Sequence, residues 1–258
     1  MTDDWVVSAD WLADNLEDVR VVDVRDPWEY DGIGHVPGAV NVPFESFRSG
    51  ERDGEGGMMP DPEEWADLLG EAGVSANDAL VAYDDTHGVF AARFLVTALY
   101  FGHDDLHLLD GDYSGWIQGH EATTDAPDVT PVEYELRDRR GTQFVDAEAV
   151  STAVDDPDSV VVDTRDPEEF AEGHVPGAVN LDWRELVDGE TRRLKPRDEI
   201  ESILEAKGVT REKHVLLYCN TARRISHTFV VLSWLGFPDV AFYEGSLTDW
   251  VARGHPVE

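Results

Sequence analysis

Lysine is nearly missing from this 258-residue chain, which has only Lys195, Lys207 and Lys213 beside seventeen arginines. Against these 20 bases stand 55 acids, a formal net charge of −35. A nucleic-acid partner is excluded on that balance, because phosphate contacts need a basic face. Cysteine is scarcer still. Cys219 is the only one, which rules out an intrachain disulfide and a cysteine-cluster metal site. Long apolar runs are also missing. The longest, Val89 to Gly102, is broken by Arg93 and is too short to span a bilayer. The opening Met-Thr-Asp-Asp-Trp has neither the basic nor the apolar segment of a signal peptide. The expectation is a soluble cytoplasmic protein with no membrane association.

What is present argues for packed cores. Apolar residues make up 41% of the chain and include eight Trp, ten Phe and seven Tyr, so disorder is excluded. The length suits two domains. The acid is spread along the chain, and such charge repels itself at ordinary ionic strength. At molar salt the screening length falls to ~3 Å and the repulsion is largely removed. This composition resembles that of cytoplasmic proteins from salt-accumulating archaea. The alternative is an acidic protein from an ordinary environment.

The strongest organising signal is an internal repeat of long period. Residues 21–44 read VVDVRDPWEYDGIGHVPGAVNVPF, and residues 161–183 read VVDTRDPEEFAEGHVPGAVNLDW. Asp23, Arg25, Asp26, Pro27 and Glu29 recur as Asp163, Arg165, Asp166, Pro167 and Glu169. His35 to Asn41 recur as His174 to Asn180. Further on, Ala82-Tyr83-Asp84 aligns with Leu217-Tyr218-Cys219, and Gly111 and Trp116 align with Gly245 and Trp250. Two copies of one fold are expected, at 1–120 and 142–258. The stretch 121–141 lacks core periodicity and reads as a linker.

Each copy alternates short apolar runs with helical patterns. Val21-Val22, Leu80–Tyr83 and Leu106–Leu109 predict buried strands in the first copy. Ser159–Asp163, His214–Tyr218 and Val240–Tyr243 predict them in the second. After Cys219, Ile225, Phe229 and Leu232 recur at helical spacing up to a stop at Gly236. The fold class is therefore α/β: two domains, each a mostly parallel sheet flanked by helices. In such sheets sites form beyond the carboxyl ends of strands.

Cys219 sits at such a place, between the 214–218 strand and a helix starting near Ala222. The loop reads Cys219-Asn220-Thr221-Ala222-Arg223-Arg224. Helix N-terminal amides and two arginines favour a thiolate, the nucleophilic form of cysteine. A buried, inert cysteine is the competing reading. The first copy supplies a control: Asp84 stands where Cys219 does, and the arginine pair is missing. The first 120 residues carry 26 acids against 5 bases, and the rest carry 29 against 15. One copy looks catalytic and the other looks like scaffold. His35 and His174 recur in both copies and read as turn-fixing residues. Asp163 and Glu169 recur too and read as structural.

At these residues the chain resembles the tandem rhodaneses, which include thiosulfate and 3-mercaptopyruvate sulfurtransferases. The likeness rests on the paired D-x-R-D-P-x-E-[FY] and G-H-V-P-G-A-V-N segments, the strand-ending Cys loop, and the late Gly followed by Trp. It implies that each domain has the rhodanese fold. It also implies a double displacement: Cys219 takes a sulfane sulfur from a small anionic donor, and cyanide or a thiol removes it. The resemblance assigns donor binding to Arg165, with a structural ion pair to Asp163 or Glu169 as the alternative. Asn220, Thr221, Ala222, Arg223 and Arg224 complete the candidate substrate site. No metal or organic cofactor is implied. Many members have Gly where this chain has Ala222, so a left-handed backbone there costs energy. Thiosulfate is the expected donor and 3-mercaptopyruvate the alternative. A Cys-dependent phosphatase fits less well, because Arg224 follows Cys219 by five residues and not six. A non-enzymatic binding module is opposed by the retained Cys and arginines.

Overall fold

The computed structural model describes residues 5–48, 59–137 and 143–258. The described residues form two compact units. The first holds the described residues up to Arg137, together with Gly189–Arg193, and the second holds the others. Four residues at the start of the expected first domain and the 138–141 part of the expected linker lie outside the described residues, as do residues 49–58.

The strands of the first unit are β1 (Val6–Val7), β2 (Arg20–Asp23), β3 (Val40–Asn41), β4 (Leu80–Tyr83) and β5 (Leu106–Leu109). They form an all-parallel sheet in the order β1-β5-β4-β2-β3. The second unit repeats that order as β6-β10-β9-β7-β8. Its strands are β6 (Phe144–Val145), β7 (Ser159–Asp163), β8 (Val179–Asn180), β9 (His214–Tyr218) and β10 (Val240–Tyr243). The six strands expected from apolar runs are the long central ones. The four two-residue strands at the sheet edges are too short to show a period.

Helices connect the strands, as parallel pairing requires. They are α1 (Ala9–Asn15), α2 (Pro27–Gly32), α3 (Pro62–Glu71), α4 (Val89–Tyr100) and α5 (Asp112–Trp116) in the first unit. The second has α6 (Ala147–Val154), α7 (Pro167–Glu172), α8 (Arg197–Ala206), α9 (Arg223–Leu235) and α10 (Ser246–Ala252). Val81, Tyr83, Leu12, Val36 and Trp116 pack in one core, and Leu216, Tyr218, Val150, Val175 and Trp250 are their counterparts in the other.

The repeated motifs are mainly the hardware of this fold. Pro27 and Pro167 open α2 and α7, where the missing N–H costs nothing. Gly38 and Gly177 turn with φ of 79° and 75°, which explains glycine at both positions. Asp23 is fully buried and takes a forked pair from Arg25 and a 2.6 Å bond from the Tyr83 hydroxyl. Asp163 and Arg165 repeat the forked pair. The rings of His35 and His174 stack on Tyr30 and Phe170, and each Nδ1 donates to the carbonyl of the same residue. Their backbones pair with Thr123 and Glu258. Both histidines stand just ahead of the Pro-Gly turns at 37–38 and 176–177.

The described part of the expected linker, 121–137, has no helix or strand of its own, but it is not detached. Thr123 pairs with His35, Val132 N–H donates to the Gly70 carbonyl, and Tyr134 is buried. Backbone hydrogen bonds hold it to the first unit, so it needs no apolar period. No helix among the described residues is long and apolar enough to cross a membrane.

Candidate active site

β9 ends at Tyr218, and Cys219 is the next residue, almost fully buried. Three residues later Ala222 caps α9 with φ 61° and ψ −4°, in the left-handed region. A Cβ there costs about 1–2 kcal/mol. Replacing Ala222 with glycine is therefore expected to raise stability by about 0.5–1 kcal/mol, after glycine's greater unfolded-state entropy is subtracted. Equilibrium denaturation measures this, and a lower midpoint would contradict the strain.

The start of α10 fastens the loop. Cys219 N–H donates to Ser246 Oγ at 3.2 Å, and the Cys219 carbonyl accepts from Leu247 N–H at 2.9 Å. Ser246 is itself left-handed (φ 52°), and its hydroxyl donates to the Tyr243 carbonyl. The Thr248 hydroxyl donates to the Asn220 carbonyl. Sequence reasoning missed Ser246 and Thr248. The aligned Gly245 and Trp250 bracket them, but their first-copy counterparts are Asp112 and Ser114, so the repeat gave no shared residue to notice.

A chain of polar contacts runs from the sheet to the loop. Arg165 spends its Nε and Nη2 on Asp163, and Nη2 also donates to the Gly173 carbonyl at 2.7 Å. Its Nη1 faces Asn220 Oδ1 at 3.4 Å. Asn220 Nδ2 donates to Glu169 Oε1 at 2.7 Å. The other Glu169 oxygen accepts from Arg224 Nη1, and Arg224 Nη2 lies 3.3 Å from Oε1. Arg165, Asn220 and Arg224 thus meet through Glu169, a residue whose recurrence suggested a purely structural part. Thr221 and Arg223 lie half-buried in the same loop.

The first copy displays what this loop geometry favours. Its Asp84 carboxylate is buried and accepts four backbone amides. Thr86 and Gly88 donate to one oxygen at 2.8 Å each, and Phe90 and Ala91 donate to the other at 2.7 and 3.1 Å. His87 there has φ 57°, matching Ala222. Amides converging between a strand end and a helix start make an anion cradle. In the second copy the aligned amides are those of Thr221, Arg223, Ile225 and Ser226, and Cys219 stands where the carboxylate does.

Beside Asp84, Arg192 pairs with Asp112 at 2.7 Å and with Asp85 at 3.1 Å. Burial pushes the Asp112 carboxyl up to about 6, with Arg192 partly opposing. A carboxyl raised on folding binds a proton that the unfolded chain releases. Stability is then greatest below the unfolded value near 4 and is lost as pH rises through about 6. Lowering pH from about 7 to about 5 is expected to raise the melting temperature, with a gain on the order of 1–2 kcal/mol. Asp112→Asn should flatten that rise. A wild-type melting temperature that falls over this interval would contradict the assignment.

A family model described as Rhodanese-like domain matches residues 8–118 and again 146–253. The chain belongs to the rhodanese-like domain family. A sulfur carrier protein of Thermus thermophilus, TtuD, is 31% identical, with 95% of this chain and 93% of that protein aligned. A thiosulfate sulfurtransferase of Pseudomonas aeruginosa is 32% identical over 86% of this chain and 84% of its own. Among solved structures, the 3-mercaptopyruvate sulfotransferase SseA of Escherichia coli superimposes with a TM-score of 0.82 at 28% identity. That match covers 94% of this chain and 98% of SseA. The rhodanese-like fold of two five-stranded parallel sheets accounts for the duplicated motif segments.

Proposed function

We propose that this rhodanese-type sulfurtransferase takes its sulfur from thiosulfate and carries it on Cys219. The observation that supports this is the loop itself. The only cysteine stands at a strand end, among amides whose first-copy equivalents hold a carboxylate, and is followed four and five residues later by an arginine pair. In the first half-reaction the Cys219 thiolate attacks the outer sulfur of thiosulfate. The sulfur–sulfur bond breaks and sulfite leaves with its electron pair, so Cys219 becomes a persulfide. In the second half-reaction cyanide or a thiol attacks the outer sulfur and the Cys219 thiolate departs. The amides of Thr221, Arg223, Ile225 and Ser226, in the loop that also holds Asn220 and Ala222, stabilise the anionic groups, as an oxyanion hole does. Arg224 binds the donor's anionic end, Arg223 steers anions inward, and Arg165 supports the site through Asn220. Residues 1–120 act as an inactive rhodanese-like domain, 121–141 as a linker, and 142–258 as the catalytic domain.

Thiosulfate is favoured over 3-mercaptopyruvate because clustered cations suit a compact dianion better than a monocarboxylate. Steady-state kinetics with both donors, read as kcat/KM, test this. A large preference for mercaptopyruvate would overturn the donor assignment. Absence of turnover with either donor would overturn the enzyme reading in favour of a binding module.

The charge of −35 and the three lysines support a cytoplasmic chain adapted to molar salt. Its melting temperature should rise by on the order of ten degrees between about 0.1 M and about 2 M KCl, as self-repulsion is screened. A melting temperature that is flat or falls with salt would sink the halophilic reading.

A further inference from the structure

Glu169 and its first-copy counterpart Glu29 do different work. Glu29 turns back on its own helix, where its carboxylate accepts from the Asp26 N–H at 3.2 Å and closes a capping box. Glu169 occupies the same position of α7, with Asp166 still capping the helix through the Glu169 N–H. Its carboxylate instead reaches the Cys219 loop, joining Arg224 and the Asn220 side chain. Arg224 has no basic counterpart in the first copy, where Val89 aligns with it. The glutamate is retained in both copies, but it meets the loop only in the copy that has the arginine.

This pairing sets the charge of the resting site. Asp163 closes on Arg165 and Glu169 closes on Arg224, so two arginines are matched by two carboxylates. The Asp163–Arg165 pair recurs as Asp23–Arg25 and is part of the fold. The Glu169–Arg224 pair has no such parallel, and both side chains are partly exposed to solvent. A site that receives an anionic donor therefore starts with its loop arginine already occupied. An incoming anion has to displace the internal carboxylate. A dianion interacts with a cation about twice as strongly as a monoanion at the same distance and dielectric. A monovalent ion such as chloride offers Arg224 no more charge than Glu169 does, and it lacks the covalent tether that keeps the carboxylate in place.

We propose that Glu169 is a specificity-determining counter-ion, which the donor's anionic end displaces from Arg224 and which holds monovalent anions off the site. The inference rests on the sulfurtransferase reading for its physiological meaning. It goes beyond that reading by assigning selection among anions to one carboxylate on α7. Glu169 acts through Arg224, with which it is paired.

The test compares wild type with Glu169→Gln at constant ionic strength, exchanging potassium gluconate for potassium chloride at about 1 M, where screening is the same in both salts. In wild type, KM for thiosulfate should change less than about twofold on exchange. In Glu169→Gln, KM in gluconate should fall at least about threefold, and chloride should raise it again by competition. A merely structural role for Glu169 would alter kcat and stability without creating chloride competition. Glu169→Asp, which retracts the carboxylate by one methylene, should give intermediate chloride sensitivity and serves if the Gln variant does not fold. A variant that melts like wild type but has an unchanged or raised KM, with no chloride competition, overturns the proposal. If wild type accepts sulfur from neither thiosulfate nor mercaptopyruvate, the enzyme reading fails separately. The counter-ion role is then read from calorimetric titration with sulfate, a non-reactive dianion. Tighter sulfate binding in Glu169→Gln supports the proposal, and equal or weaker binding overturns it.

Discussion

Cys219→Ser is expected to abolish sulfur transfer. Incubating the wild-type protein with thiosulfate should add a single sulfur, about 32 Da, which the serine variant cannot carry because a hydroxyl is a far poorer nucleophile at neutral pH. The first copy supplies the internal comparison. Asp84 sits in the matching cradle with both carboxylate oxygens engaged by amides, and a carboxylate carries no transferable sulfur. Asp84→Ala should keep the adduct at Cys219 while losing stability, since four backbone amides, two of them in buried bonds, lose their acceptor at a cost of about 2–5 kcal/mol. Intact mass of both variants after exposure to the donor decides the matter. Normal turnover by Cys219→Ser would refute the persulfide mechanism outright. An adduct that disappears in a folded Asp84→Ala protein would overturn the scaffold role of the first copy, since the only cysteine is Cys219.

Much of this arrangement was legible in the sequence, for identifiable reasons. The six central strands carry apolar runs because a parallel sheet covered on both faces buries most of their side chains, so each stands out. The duplicated D-x-R and G-H-V-P-G segments mark tight local geometry: a buried Asp–Arg fork and a glycine turn with φ near 75–79°. The departure at Ala222 was visible as a missing glycine, and the left-handed φ of 61° accounts for why glycine suits that position. What recurs in both copies is mostly scaffold, and what differs marks the candidate site. That rule separates Cys219 from Asp84 and Arg224 from Val89.

Glu169 shows where that rule stops. Its recurrence as Glu29 suggested scaffold, yet the two carboxylates point to different partners. Identity at a repeated position reports the backbone's needs, not the side chain's contacts, when the neighbours change. Ser246 and Thr248 escaped for the converse reason. They fasten the Cys219 loop from α10, some 27 residues further along the chain, and no local pattern links them to it. The sequence leaves Arg165 between donor binding and ion pairing. Its Nε and Nη2 are committed to Asp163 and the Gly173 carbonyl, and only Nη1 looks toward the loop.

Arg224→Ala should cost more in catalysis than any other substitution of a loop side chain except Cys219. Consecutive residues on a helix point about 100° apart, so Arg223 and Arg224 leave α9 in different directions. Arg224 is the one joined to Glu169 and, through it, to Asn220 beside the nucleophile. Removing it deletes a charge-assisted contact worth about 1.5–3 kcal/mol, or roughly ten- to a hundredfold in kcat/KM for thiosulfate. It also leaves Glu169 as an uncompensated carboxylate at the mouth of the site, which pushes the loss toward the upper end of that range. Arg223→Ala should lose less, and its deficit should shrink as salt rises, because long-range steering is screened while a direct contact is not. Arg224→Ala should keep most of its deficit at molar KCl. The two variants therefore separate by their salt dependence as well as by size. Unchanged kcat/KM in a folded Arg224→Ala enzyme, or a larger loss in Arg223→Ala that resists salt, would exchange the parts assigned to the two arginines.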